Sequence, residues 1–261
     1  MRRIAFALLV ACTAPLAFAQ AQKAPAPAYE PSVGQEGKDV VWVPTPQALV
    51  DKMLDMAKVT TKDFVMDLGS GDGRTVITAA KRGVRALGVE YNPDMVELSR
   101  RNAEKEGVAN LATFVKADLF ETDFSKATVI TMFLLPDINL QLRPKILDLK
   151  PGTRIVSNSF TMGEWIADET QNPEKCESSW CTALLWIVPA KVAGSYKTSQ
   201  GELTLKQEFQ MLSGTLRNGS KTFALEGKVQ GERISFTAGG RNYQGRRNGK
   251  KLELEPAAAK G

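Results

Sequence analysis

Between residues 40 and 189, apolar positions alternate between helical spacing and short continuous runs. Val50, Met53, Leu54 and Ala57 share one helical face behind Thr45 and Pro46, a capping hydroxyl followed by a proline that opens a helix. An apolar run over 64–68 ends in glycines, the pattern of a strand entering a turn. Helix is predicted over 75–81, stopped by Gly83, then strand over 84–90. Asn92-Pro93-Asp94 opens a helix that ends near Gly107, and 113–117 is strand-like. Residues 128–135 are almost uninterruptedly apolar, as in a strand buried on both faces. Helical spacing returns over 137–149, and strands are predicted over 153–160 and 182–188. Strand and helix in alternation predict an α/β fold, a Rossmann-like doubly wound sheet, over 39–189.

After Pro189 the period falls to two. Leu203, Leu205, Phe209 and Met211 keep alternate positions, as do Phe223 with Leu225, Ile234 with Phe236, and Leu252 with Leu254. Asn218-Gly219, Gln230-Gly231, Gly239-Gly240 and Asn248-Gly249 mark turns between them. A small antiparallel β domain of five or six strands is predicted over 190–256, followed by a tail over 257–261. At roughly 65 residues it sits near the lower limit for folding alone, so it is expected to pack on its neighbour or a partner.

Composition narrows the chemistry. The chain has 261 residues, a formal net charge of +5 and no histidine. That excludes His-based triads, His-ligated zinc and an imidazole base, and no metal is expected. Basic residues outnumber acidic ones 13 to 6 from Lys191 onward, which raises contact of the β domain with a membrane surface or nucleic acid beside the plainer reading of a solvated face. At the other end, Arg2-Arg3, an apolar stretch and Ala17-Phe18-Ala19 read as a signal peptide over 1–19. The chain is therefore expected to be exported, periplasmic or secreted. The segment Leu9 to Cys12 offers a lipoprotein as the lesser alternative. Residues 20–38 are rich in Ala and Pro and read as a disordered linker. In an oxidising compartment Cys176 and Cys181 are expected to form a disulfide.

The candidate chemistry lies in Val65-Met66-Asp67-Leu68-Gly69-Ser70-Gly71-Asp72-Gly73-Arg74, where a buried strand runs through a glycine-rich turn into a helix. Such a turn presents free amides and a helix N-terminus to an anionic group. The Gly-x-Gly-x-Gly spacing, with Asp67 two residues before Gly69 and Arg74 where a dinucleotide fingerprint needs its third small residue, favours S-adenosylmethionine (SAM) over NAD. Glu90 closes the second strand, where its paired oxygens are expected to hold both ribose hydroxyls. Asp118 follows the third, where a carboxylate is expected to accept from the adenine amino group.

With these residues in place, the chain from about Val43 to Trp165 resembles the class I SAM-dependent methyltransferases. Within them, Val43-Pro44-Thr45-Pro46, Gly69 to Arg74, Glu90-Tyr91-Asn92-Pro93 and Asp118-Leu119 are similar to the protein-lysine methyltransferases that modify the membrane c-subunit of ATP synthase. The resemblance implies a seven-stranded methyltransferase sheet, its last strand antiparallel, with helices on both faces. It implies SAM held by Asp67, Gly69, Ser70, Gly71, Asp72, Gly73, Glu90, Tyr91, Asp118 and Leu119, and a protein lysine as methyl acceptor. No catalytic residue is assigned.

The acceptor slot is expected after the fourth and fifth strands, with Phe133, Pro136, Asn158, Phe160 and Trp165 as candidates and Thr45 as a lid. Leu134-Leu135-Pro136-Asp137 stands where adenine-N6 and glutamine methyltransferases carry Asn/Asp-Pro-Pro-Tyr/Phe, which disfavours planar amines. Two other functions remain open: an exported SAM- or nucleoside-binding protein without catalysis, and a nucleic-acid methyltransferase docking through its basic tail.

Overall fold

The computed structural model describes residues 29–249 and 251–255. The expected signal peptide, the linker over 20–28 and the tail over 257–261 lie outside the described residues. The remainder of the expected linker is ordered. The Gly34 amide donates to the Trp42 carbonyl (2.8 Å) and the Trp42 amide to that of Gln35 (2.9 Å), folding this segment into a strap. The Gln35 side chain reaches the Tyr29 hydroxyl. Composition alone misses this because Lys38 of the strap is also held by Asp118, far along the chain.

The strap leads into α1 (Gln47–Met56), β1 (Phe64–Leu68), α2 (Arg74–Lys81), β2 (Arg85–Glu90), α3 (Pro93–Lys105), β3 (Ala112–Lys116), β4 (Val129–Met132), α4 (Pro136–Leu147), β5 (Arg154–Asn158), β6 (Glu169–Gln171) and β7 (Ala183–Ile187). These seven strands form one sheet in the order β3-β2-β1-β4-β5-β7-β6. β1 pairs in parallel with both β2 and β4, while β7 runs antiparallel between β5 and β6. The expected seven-stranded sheet is therefore present. Its chain order reverses beside β1, so a crevice opens beyond the carboxyl ends of β1 and β4.

Alternation along the strands divides the core into two layers. Val65, Ala86, Val129 and Val156 pack with Leu49, Val50 and Val76 from α1 and α2. Met66, Ile130, Met132 and Ile155 face the other way, onto Ile138, Leu142 and Ile146 of α4. Trp165 and Trp186 complete that second layer, and the Trp186 indole N–H donates to the Trp165 carbonyl (2.6 Å).

Three local expectations are corrected. Thr45 does not cap α1: the N-cap is Pro46 and no side chain caps that end. The apolar run over 128–135 gives a strand of only four residues, because Pro136 starts α4 and turns Phe133 and Leu134 out of the sheet. The C-terminal region holds seven strands rather than five or six: β8 (Gly194–Thr198), β9 (Gly201–Glu208), β10 (Met211–Asn218), β11 (Lys221–Gln230), β12 (Arg233–Ala238), β13 (Arg241–Asn248) and β14 (Lys251–Leu254). They form an antiparallel meander in chain order. Its inner face buries Leu203, Leu216, Leu225, Ile234 and Phe236. The turn between β9 and β10 inserts into the first domain. There Phe209 stacks on Trp165 at 6.2 Å, the Arg143 guanidinium lies over the Phe209 ring, and the Gln210 amide donates to the Ile166 carbonyl (2.7 Å). The small sheet thus seals apolar surface that α4 leaves open.

Candidate active site

The crevice at the carboxyl ends of β1 and β4 is a cavity of about 590 Å³, within the usual range for a small-molecule site. Asp67, Gly69, Ser70, Gly71, Asp72, Glu90, Tyr91 and Leu119 line it, together with Thr45, Phe133 and Phe160. The loop after β1 is shaped by left-handed backbone. At Gly71 (φ +54°) a Cβ would lie 2.6 Å from the Trp42 indole nitrogen, and at Gly73 (φ +83°) it would meet the Phe114 ring at 2.8 Å. Gly71 therefore lets the Trp42 ring of the strap pack directly on the loop. Gly73 does not line the cavity but lets the loop close against β3.

Glu90 braces this loop. One carboxylate oxygen accepts from the Gly71 amide (2.9 Å) and the other from the Asn92 amide (2.9 Å). Each oxygen keeps lone-pair capacity for a ligand hydroxyl. Asp72 is held by Arg74, whose Nη2 lies 2.6 Å from a carboxylate oxygen and whose Nη1 donates to the Thr45 carbonyl (3.0 Å). Tyr91, 49% exposed, stands at the rim. Asp118 is beside the cavity rather than in its wall. Its carboxylate accepts from the Phe120 amide (2.9 Å) and from Lys38 of the strap (2.7 Å), and the ammonium holds the Asp118 carboxyl below its usual range.

Asp67 is buried, with the Thr131 hydroxyl donating to it at 2.6 Å. Burial pushes its carboxyl up to about 7, and the neighbouring Asp72 and Glu90 charges add to the rise. Between about pH 4 and 7 the folded chain therefore keeps a proton that the unfolded chain has released. This group's contribution to stability falls as pH rises through that window. Asp67→Asn is expected to flatten that slope in unfolding titrations from pH 5 to 8; an unchanged slope would show that Asp67 ionises normally.

Of the expected acceptor residues, Phe133 and Phe160 reach the cavity and Thr45 lines it near α1. Asn158, Pro136 and Trp165 do not. Asn158 is buried and its amide donates to the Thr45 hydroxyl (3.4 Å), behind the wall. Pro136 faces solvent as the first residue of α4. Trp165 is wholly buried between Trp186 and Phe209, since the chain after β5 turns inward before β6. The aromatic place belongs instead to Trp180, whose ring lies 5.0 Å from Phe160 and 6.4 Å from Phe133. Trp180 sits inside the disulfide formed, as expected, by Cys176 and Cys181. Lys38 and Trp42 also line the cavity without having been singled out, as does Arg74, which the sequence marked only as part of the loop motif. Trp42 stands immediately before the Val-Pro-Thr-Pro segment, and Trp180 next to a paired cysteine; those positions were their only signals in the sequence.

The donor set fits SAM. The cavity lies where doubly wound sheets bind nucleotides. Its wall combines the glycine loop, the carboxylates of Asp67 and Glu90 and the rings of Phe133 and Phe160. Among the described residues, no group of three or more His, Cys, Asp or Glu is placed to hold a metal. No helix among them is long and apolar enough to cross a membrane.

Comparison with known proteins agrees with this geometry. The profile of the ANTKMT methyltransferase domain matches residues 67–169. A protein-lysine N-methyltransferase of Saccharolobus islandicus is 50% identical over 129 residues, covering 48% of this chain and 80% of that protein. The lysine N-methyltransferase of the ATP synthase c-subunit from Homo sapiens is 34% identical over 140 residues, covering 53% of this chain and 59% of that one, so the chain spans less than two thirds of its length. An RNA methyltransferase from Salinibacter ruber, solved with S-adenosyl-L-homocysteine, is 46% identical with a TM-score of 0.54, covering 57% of this chain and 96% of that one.

Proposed function

This chain belongs to the SAM-dependent methyltransferases, in the family of the protein-lysine N-methyltransferases, and from that premise we propose that it methylates a lysine amine of another protein. The observation that carries the proposal is the cavity itself, a glycine loop braced by Glu90 at one end and an apolar aromatic mouth at the other. SAM, when bound, supplies an electrophilic methyl on a sulfonium. The chain's own residues do the rest. Glu90 would accept from the sugar hydroxyls, Gly69 to Gly71 would let the amino-acid end lie against the backbone, and ionised Asp67 would balance a positive charge there. The strap excludes water from above.

Phe133, Phe160 and Leu134 make a slot without polar side chains. A lysine amine has a reference pKa of about 10.4. Entering such a slot, it is disfavoured as an ammonium and sheds its proton to solvent, which exposes the lone pair for in-line attack. No histidine is needed.

The test is calorimetric titration of SAM into the mature chain, followed by methyl-label transfer to envelope proteins. Binding in the micromolar range and labelled lysine are expected; labelled lipid or nucleic acid in place of protein would replace the acceptor class. Because Asp67 must lose a proton to meet a cationic ligand, SAM affinity should tighten roughly ten-fold from pH 6 to 8, and not at all in Asp67→Asn.

A second acceptor is favoured by one finding, the name of the Salinibacter ruber relative. Against it stands Leu134-Leu135-Pro136-Asp137, which offers no stacked amide-and-proline clamp for a planar amine. RNA binding that weakens steeply with salt would support it. The arginine pair at residues 2 and 3, the apolar stretch after it and the Cys176–Cys181 bond support export. Sequencing the mature N-terminus checks this, with a start at Gln20 expected.

A further inference from the structure

We propose that Trp180, tethered by the Cys176–Cys181 disulfide, determines acceptor specificity by completing an aromatic wall for the aliphatic stem of the incoming lysine. The proposal rests on the amine-acceptor reading above and adds the part of the chain that recognises the acceptor.

Trp180 is 40% exposed and lies in the connection between β6 and β7, which is largely polar and without regular structure. An indole on such a segment ordinarily samples many positions and loses rotamer freedom on every binding event. Here it is held on three sides. The disulfide closes the short loop from Cys176 to Cys181 around it. Its own amide donates to the Ser178 hydroxyl (3.1 Å). Just beyond the disulfide, the Thr182 carbonyl accepts from the Ser159 amide (2.7 Å), which pins the loop to the turn that carries Phe160.

That turn is itself strained. Ser159 is a non-glycine residue at φ +59°, and its hydroxyl donates to the Asn158 side-chain carbonyl (2.8 Å). Left-handed backbone at a serine persists where surrounding contacts impose it, and it is concentrated at binding sites. Its effect here is to turn Phe160 out of β5 toward the cavity.

The three rings form one surface. Phe133 and Phe160 stack at 5.9 Å with 21° between planes, and Trp180 tilts across both. All three line the cavity. Phe133 and Phe160 come from the carboxyl ends of adjacent strands, so their positions are set by the sheet. Trp180 comes from a connection that the sheet does not position, and the covalent tie supplies the missing constraint. Ring faces pack against methylene groups, the apolar stem of a long side chain. The wall therefore suits the four-methylene stem of a lysine better than a short hydroxyl or a carboxamide.

The test uses the full mature chain with methyl-labelled SAM and poly-L-lysine as the amine probe, with SAM affinity measured separately by calorimetry. Trp180→Ala is expected to raise KM for poly-L-lysine by about ten-fold or more, with SAM affinity and the melting temperature unchanged. Trp180→Phe should recover most of the loss. The double variant Cys176→Ser/Cys181→Ser should shift KM in the same direction, as should the wild type treated with a dithiol that is oxidised as it opens the bond to two thiols. Labelling of poly-L-lysine by wild type and Trp180→Ala with equal KM would overturn the wall alone. A parallel loss of SAM affinity would make Trp180 part of the cofactor site and likewise overturn it. A wild type that binds SAM and leaves poly-L-lysine unlabelled would overturn the amine reading and the wall with it.

Discussion

Glu90→Ala is expected to weaken SAM binding roughly a thousand-fold while the chain stays folded. The carboxylate ends β2 and receives one amide from the loop after β1 and another from the start of α3. Alanine removes both acceptors together with those offered to the sugar. Hydrogen bonds to a charged group contribute about 1.5–3 kcal/mol each, and the loss of two corresponds to about three orders of magnitude in affinity. The fold is spared because the freed amides border the cavity, where water replaces the carboxylate. Glu90→Gln should fall between the two, since its NH₂ presents a donor to an amide that is itself a donor. Titration calorimetry beside thermal melting separates the effects. A dissociation constant within ten-fold of wild type would remove Glu90 from the site.

Arg154→Ala should cost about 3–5 kcal/mol of stability, the usual penalty for leaving a buried charge without its partner. Arg154 pairs with Asp63, which is 7% exposed, and also donates to the Ala57 carbonyl (2.7 Å). Asp63 in turn accepts from the Thr60 amide (2.8 Å) and the Thr128 hydroxyl (2.8 Å). The cluster joins the end of α1, the turn into β1 and the starts of β4 and β5. Burial alone would push the Asp63 carboxyl up; the Thr128 hydroxyl, the Thr60 amide and Arg154 outweigh it and hold the group below its usual range. Its contribution is therefore complete above about pH 4 and is lost as pH falls through the depressed value. Urea unfolding of Arg154→Ala at pH 7 should show the full loss, and the gap to wild type should narrow at pH 3. A difference under about 1 kcal/mol at pH 7 would mean that the pair is solvated.

The two carboxylates pull stability in opposite directions with pH. Asp63 favours the fold when ionised and Asp67 when protonated, although both belong to β1 or the turn before it. The first meets a guanidinium, and the second meets a hydroxyl and two like charges. Only the second lines the cavity, where a cationic ligand would favour the ionised form that the fold disfavours.

Much of the first domain was legible because its rules are local. A two-residue or 3.6-residue period, a proline at a helix start and glycines where φ must be positive each act within a few residues. They located four helices, six of the seven strands, the loop from Gly69 to Gly73 and the acid closing β2. β6 escaped, since Glu169-Thr170-Gln171 has no apolar run and is a strand only because β7 offers it a free edge. The strap escaped for a similar reason: Lys38 is ordered by Asp118, eighty residues away in the chain.

The tryptophans mark the boundary between the two kinds of information. The order of residues determined the class of fold, the glycine loop that lines the cavity and the acids beside it, because backbone preference and burial pattern are written in neighbouring positions. It did not determine that Trp165 would be sealed under Phe209 while Trp180, fifteen residues on, would face the cavity. That choice was made when β7 threaded between β5 and β6 and the β9–β10 turn docked beneath. Such long-range pairings decide which side of a loop meets the core and which meets the ligand.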